Sequence, residues 1–132
     1  MTAGYSGTPL IKKLGIKDGF VIRTLHAPDH YGTLLGPLPV GVTTSGTPCD
    51  FIHSFYTERA LFEAELKSLM EILERNGMIW ISWPKKTAKV PTDMTEGVVR
   101  EVALPLGLVD VKVCAVDEIW SGLKLVIRKE LR

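Results

Sequence analysis

Cys49-Asp50-Phe51-Ile52-His53-Ser54-Phe55 and Met78-Ile79-Trp80-Ile81-Ser82-Trp83-Pro84-Lys85-Lys86 are the two apolar runs whose reading decides the fold. Both are short and rich in aromatic and β-branched residues, and neither alternates apolar with polar positions. That is the pattern of strands buried on both faces of a parallel sheet. Between them lies a charged amphipathic segment, Glu58 to Arg75, with Leu61, Phe62, Leu66, Leu69, Met70 and Leu73 on one face. Thr57 reads as its N-cap and Asn76-Gly77 as its stop. About eighteen helical residues span ~27 Å, enough to recross a sheet. The pairs Glu63/Lys67 and Glu71/Arg75 add a few tenths of a kcal/mol each. The whole reads as a strand–helix–strand unit with a right-handed crossover between parallel strands.

Outward toward the amino terminus, Phe20 to Leu25 reads as another strand, ending where Pro28 cannot donate to a ladder. Before it, Thr8-Pro9 opens a short helix, with Thr8 as N-cap, Pro9 at the first helical position and Gly15 as the stop. Met1 to Gly7 reads as a Gly/Ser-containing arm. Between the first strand and Cys49, about two dozen residues rich in Gly, Pro and Thr leave room for one small excursion. A helical turn at Tyr31 to Leu35 and a short edge strand at Val40 to Thr44 fit that space.

Toward the carboxyl terminus, a second helix is expected near Thr95 to Leu106, with Val98, Val99, Val102, Ala103 and Leu106 inward. Pro105 should kink it or end it early. Val109 to Val116 alternates, with Val109, Val111, Val113 and Ala115 opposed to Asp110, Lys112 and Cys114. Leu123 to Lys129 alternates as well, and the link between the two is too short for a crossover. These strands must be antiparallel. The fold class is therefore α/β: a single-domain, three-layer, Rossmann-like sandwich over residues 1–132, with a mostly parallel sheet and a C-terminal antiparallel hairpin.

Composition bounds the function. The chain has 132 residues with 16 basic and 15 acidic side chains, and no basic run that would act as a nucleic-acid tail. No apolar run approaches the ~20 residues of a membrane span, and the start lacks the pattern of a signal peptide. A cytoplasmic protein is expected, with no nucleic-acid or membrane partner. Cys49 and Cys114 fall in separate strands and read as buried small hydrophobes. No Gly-rich phosphate loop and no nucleophile elbow is present, so no cofactor is expected.

In an open α/β sheet, ligands bind beyond the carboxyl ends of the parallel strands. That rule selects His26, Asp29 and His30 after the first strand and Tyr56 and Thr57 after the second. It selects Trp83, Lys85 and Lys86 after the third, with Asp117, Trp120 and Ser121 from the hairpin loop. The lysines are suited to a phosphate or carboxylate, and the tryptophans to stacking on a ring. His26, Asp29 and His30 have metal-ligand chemistry, but Pro28 breaks any helix that would align them, and no metal is expected. His53, in mid-strand, reads as a hydrogen-bonded core histidine.

Two resemblances attach to these residues. Lys13 to Gly19 before a strand, the strand–helix–strand with Asn76-Gly77-Met78-Ile79-Trp80-Ile81, and the terminal hairpin together resemble a class I methyltransferase fold. The resemblance implies a sheet whose last strand is antiparallel and inserted between the third strand and the first strand of the hairpin. Where those enzymes carry an acidic residue and a Gly-x-Gly turn to receive S-adenosylmethionine, this chain has Leu25-His26-Ala27-Pro28. Lys13 to Gly19, Ile79 to Lys85 and Trp120-Ser121-Gly122-Leu123-Lys124-Leu125-Val126 also resemble a bacterial family known as domain of unknown function 3052. That resemblance implies a small cytoplasmic bacterial protein. The expected function is binding of a small anionic ligand or a protein partner at the carboxyl rim, without catalysis. The alternative is an enzyme, a degenerate S-adenosylmethionine-dependent methyltransferase, working at the same rim.

Overall fold

A computed structural model describes residues 8–132, so the expected N-terminal arm lies outside the described residues. Strands β1 (Ile22–Leu25), β2 (Cys49–Phe55), β3 (Leu73–Pro84), β4 (Leu108–Ala115) and β5 (Trp120–Ile127) form one sheet in the order β1-β2-β3-β5-β4. β1, β2 and β3 are parallel, and β5 runs antiparallel to both β3 and β4. β4 therefore points the same way as β3. The carboxyl ends of β1 to β4 share one rim with the hairpin loop, and the expected fold class is the observed one.

Helices α3 (Arg59–Glu71) and α4 (Glu96–Ala103) cover one face of the sheet, and α1 (Leu10–Leu14) and α2 (Tyr31–Leu35) the other. On the first face Phe62, Leu66, Leu69, Val99 and Ala103 pack with Ile52, Ile79, Ile81, Leu123 and Leu125. Each large side chain buried there contributes about 1.5–3 kcal/mol. On the second face Leu14, Tyr31 and Leu35 pack with Phe51, Phe55 and Trp80, and the Trp80 indole donates to the Leu14 carbonyl at 2.9 Å.

Several local expectations are corrected. Pro9, not Thr8, holds the N-cap of α1, and no side chain caps that helix. Glu58, not Thr57, is the N-cap of α3, and the free Arg59 amide donates to Asp93 Oδ1 at 2.7 Å. The Thr57 carbonyl instead accepts from the Thr92 hydroxyl at 2.6 Å, tying down the loop before α4. α3 ends at Glu71, short of Arg75, because Leu73 already pairs with Cys49 and the Cys49 amide donates to the Ile72 carbonyl. Glu74 to Gly77 then bulge before Met78 resumes the register opposite Phe51. Gly77 is required there, since a Cβ would lie 2.8 Å from Leu73 Cδ1 and 3.0 Å from the Asp50 carbonyl. Leu61 is exposed rather than inward, and Glu63 pairs with Arg59, not with Lys67.

In the excursion, α2 forms where expected, but the edge strand at Val40 to Thr44 is reduced to one bridge, Val21 to Thr43. α4 is capped by Thr95, whose hydroxyl accepts from the Val98 amide, and yields at Ala103 to a 3-10 turn containing Pro105. In β4 the register slips between Asp110 and Lys112. Cross-strand partners share a face, so Val113, opposite Leu123, lies on the α4 side, while Val109, opposite Val126, lies on the other. The single valine face of the sequence pattern is thus split by a bulge. Cys49 is fully buried, whereas Cys114 is half-buried.

Candidate functional site

The rim residues fall into three groups. The first lies where β1 and β2 end side by side. His26 follows β1 with a φ of 57°, a left-handed conformation that costs a non-glycine residue about 1–2 kcal/mol. Its Nε2 lies 2.9 Å from Glu65 Oε1, and the Tyr56 hydroxyl donates to the same oxygen at 2.7 Å. The His26 and Tyr56 rings sit 5.5 Å apart. Burial opposes ionisation of Glu65, but the hydrogen bonds from Tyr56 and His26 outweigh it and hold the carboxyl below its ordinary range. Burial pushes the Tyr56 hydroxyl up.

On the other face, His30 at the start of α2 reaches across the rim. Its Nε2 is 2.8 Å from Asp117 Oδ2. Asp117 Oδ1 accepts from the Ile119 and Trp120 amides at 2.9 and 2.7 Å, which shapes the hairpin loop. Burial opposes the charge on Asp117, and the His30 bond together with the two amides overcomes it, lowering its pKa. The carboxylate is 9% exposed and the imidazole 48%, so the histidine is the member of the pair that solvent reaches. Trp120 packs edge-on against Phe55 at 5.1 Å beside this pair.

The third group lines a cavity of about 560 Å³ on the α4 side. Trp83 comes from the end of β3, Lys85 and Lys86 directly follow that strand, and Ser121 comes from β5, with Met94 and the first turn of α4 opposite. Trp83 and Met94 are buried and make an apolar floor. The Lys85 amide donates to the Ile119 carbonyl at 2.7 Å, fixing the backbone from which the cation projects. Glu96, also in the wall, is paired with Arg100, which in turn holds Asp110. Lys85 and Lys86 form no ion pair among the described residues. Thr57 supports this wall through its backbone, and Asp29 is an exposed loop residue without a side-chain hydrogen bond among the described residues.

Beneath the rim lies a chain absent from the candidate set. His53 is fully buried, with Nδ1 2.8 Å from the Tyr31 hydroxyl and Nε2 2.7 Å from Ser82 Oγ. Burial pulls its pKa from 6.5 down to about 3, so the ring is neutral. It is the satisfied core histidine that its mid-strand position suggested. Glu65 was not legible as a site residue, because one carboxylate on a charged helix looks like any solvated position. Among the described residues no group of three or more His, Cys, Asp or Glu side chains is placed to hold a metal. None of the helices among them is long and apolar enough to cross a membrane.

No family model matches the chain, and no curated protein matches it in sequence. Solved structures do match in fold. DhpI in complex with SAH superposes with a TM-score of 0.61 at 13% identity, over 92% of this chain and 83% of that one. Magnesium protoporphyrin IX methyltransferase (ChlM) of Synechocystis with bound SAM gives 0.59 at 11%, over 91% and 74%. A SAM-dependent methyltransferase from Aquifex aeolicus gives 0.55 at 17%, over 89% and 87%. The likeness fixes architecture alone: the chain has a methyltransferase-like Rossmann fold, with no strand beyond a single bridge between β1 and β2 among the described residues.

Proposed function

We propose that the protein binds a small anionic ligand at the carboxyl rim of its sheet, in the cavity between the end of β3, Ser121 and the start of α4, and that it is not a catalyst. One observation carries this reading. Lys85 and Lys86 line a cavity with an apolar floor, while the carboxylate in its wall, Glu96, is engaged by Arg100. A phosphate or carboxylate headgroup gains two point charges there. The amino end of α4 adds a favourable dipole. From the resemblance carried by Lys13 to Gly19, Ile79 to Lys85 and Trp120 to Val126, we further propose a cytoplasmic bacterial protein of the domain of unknown function 3052 family.

Thermal-shift titration with phosphosugars, nucleotides and small carboxylates tests it. A ligand at a hundred times its dissociation constant adds ~2.7 kcal/mol of stability, and Lys85→Gln/Lys86→Gln should remove that gain while the unliganded melting temperature holds. If no anion stabilises the protein, or if the double variant responds as the wild type does, the reading fails.

A second reading, an enzyme of methyltransferase-like descent at the same rim, is favoured by the fold likeness. The chain's own residues fit S-adenosylmethionine poorly. The turn after β1 carries His26 in place of a glycine, and its ring is engaged by Glu65 and Tyr56. No described strand between β1 and β2 offers a ribose-binding carboxylate. Calorimetric titration with S-adenosylmethionine separates the readings: saturable heat would favour the enzyme, and its absence the anion-binding domain.

A further inference from the structure

The side of β4 and β5 that faces away from α4 carries a concentration of positive charge that the rim reading does not use. Lys112 and Lys124 are direct cross-strand partners, so their stems leave the sheet side by side on one face. The Lys112 ammonium lies 6.0 Å from the centre of the Trp80 ring. Trp80 belongs to the α1 and α2 side, which places both lysines on that face. Lys17, in the turn after α1, adds a third cation. Burial, Lys112 and Lys17 together push the Lys124 ammonium down. Burial raises the half-buried Cys114 thiol, and Lys13, Lys112 and, from the rim, Lys85 act against it.

None of these lysines forms an ion pair among the described residues. Asp110, the acid on β4, points to the other face and is held by Arg100. Asp18 is exposed beside Lys17 and is unpaired among the described residues, and residues 1–7 contain no acidic side chain. Like charges placed directly opposite in a sheet are destabilising. A lysine on the outermost strand protects an open edge from pairing, which accounts for Lys112 on β4. It does not account for Lys124, because β5 is an interior strand.

We infer that this face is a docking surface for an acidic segment of a partner protein, gripped by Lys112 and Lys124. One feature favours an acidic peptide over a nucleic acid: Trp80 is fully buried and offers no surface on which a base would stack. Half-buried Val109, Val126 and Cys114 border the lysines and suit the apolar stems of a peptide.

Fluorescence anisotropy with a labelled poly-glutamate peptide and the whole chain tests this. Saturable binding that weakens with salt is expected. Lys112→Gln/Lys124→Gln should weaken it by about tenfold or more, the loss of charge contacts worth one decade. Lys67→Gln, on the outer face of α3, should leave it within about twofold. Melting temperatures measured alongside establish that each variant is folded. Absence of saturable binding, equal weakening by Lys67→Gln, or tighter binding of a single-stranded oligonucleotide of matched charge would each overturn the inference.

Discussion

The two faces of the sheet are covered by unequal means. Over one, α3 and α4 lay Phe62, Leu66, Leu69, Val99 and Ala103 on aliphatic strand residues. Over the other, two five-residue helices contribute little more than Leu14, Tyr31 and Leu35, and the strands answer with large rings, Phe51, Phe55 and Trp80. Polar groups follow the same division. On the thin face the buried ones are bonded: His53 to Tyr31 and Ser82, and the Trp80 indole to Leu14. On the thick face, Ser54 Oγ is buried with no partner among the described residues. Where long helices supply enough apolar area, an unpaired hydroxyl is tolerated. Where they do not, hydrogen bonds must hold short helices in place, because an isolated helix of that length is unstable.

Breaking the thick face should cost most. Leu66→Ala removes a fully buried side chain between α3 and the sheet, with an expected loss of about 2–5 kcal/mol in chemical denaturation. Leu35→Ala, at the end of a five-residue helix that relaxes readily, should cost less. The reverse ranking would mean that the two faces do not differ as described.

His53 tests the thin face. His53→Leu keeps apolar bulk but leaves Tyr31 and Ser82 without their partner, at about 1–3 kcal/mol for each buried group left unpaired. Its pH signature is separable from that loss. Above pH 6.5 the ring is neutral in both the unfolded and the folded chain, and its protonation does not affect stability. As pH falls from 6.5 toward about 3, the unfolded chain takes up a proton that the folded chain refuses. Stability should therefore drop by up to ~1.4 kcal/mol per pH unit from this group. In His53→Leu the profile should lose that slope. An unchanged slope would place the acid sensitivity elsewhere, and Glu65 and Asp117, whose depressed pKa values act at lower pH, are the next groups to examine.

Ser54→Ala is the converse experiment on the thick face. Removing a hydroxyl with no well-formed hydrogen bond among the described residues returns its desolvation penalty, so the variant should be more stable by about 1 kcal/mol. A loss instead would mean that the contact of Ser54 with the Tyr56 hydroxyl, which favours ionisation of Tyr56, is a stabilising bond.

The same asymmetry explains what was legible in the sequence. Strands buried on both faces announce themselves, so β2 and β3 stood out as unbroken apolar runs, and a short link forced the hairpin to be antiparallel. The end of α3 did not stand out. Leu73 is buried as a helix residue would be, and only its pairing with Cys49 reveals that the chain has already turned back into β3. Nor did the bulge at Val111, since alternation looks the same until one residue slips. At the rim, the hairpin loop lies beside the ends of the parallel strands because β4 runs parallel to them, the condition on which the sequence reading depended. Which candidates meet depends on side-chain direction: Trp83 and Ser121 face α4, while His30 and Asp117 meet on the opposite face. Glu65 joins His26 and Tyr56 from a helix whose charges all look alike in sequence.

The smallest expected effect separates a surface built for the free protein from one built for something else. Lys124 projects beside Lys112 on an interior strand, and replacing one of two opposed like charges relieves a repulsion of roughly 0.2–1 kcal/mol. Lys124→Gln should raise the denaturation midpoint slightly without changing the denaturant slope, and the gain should shrink as salt screens the pair. A lysine retained purely for packing would do the opposite, because its half-buried stem would be poorly replaced by the shorter glutamine. Stabilisation that fades with salt would mark the pair as a cost carried by the unbound protein. A salt-independent loss would make Lys124 a packing residue.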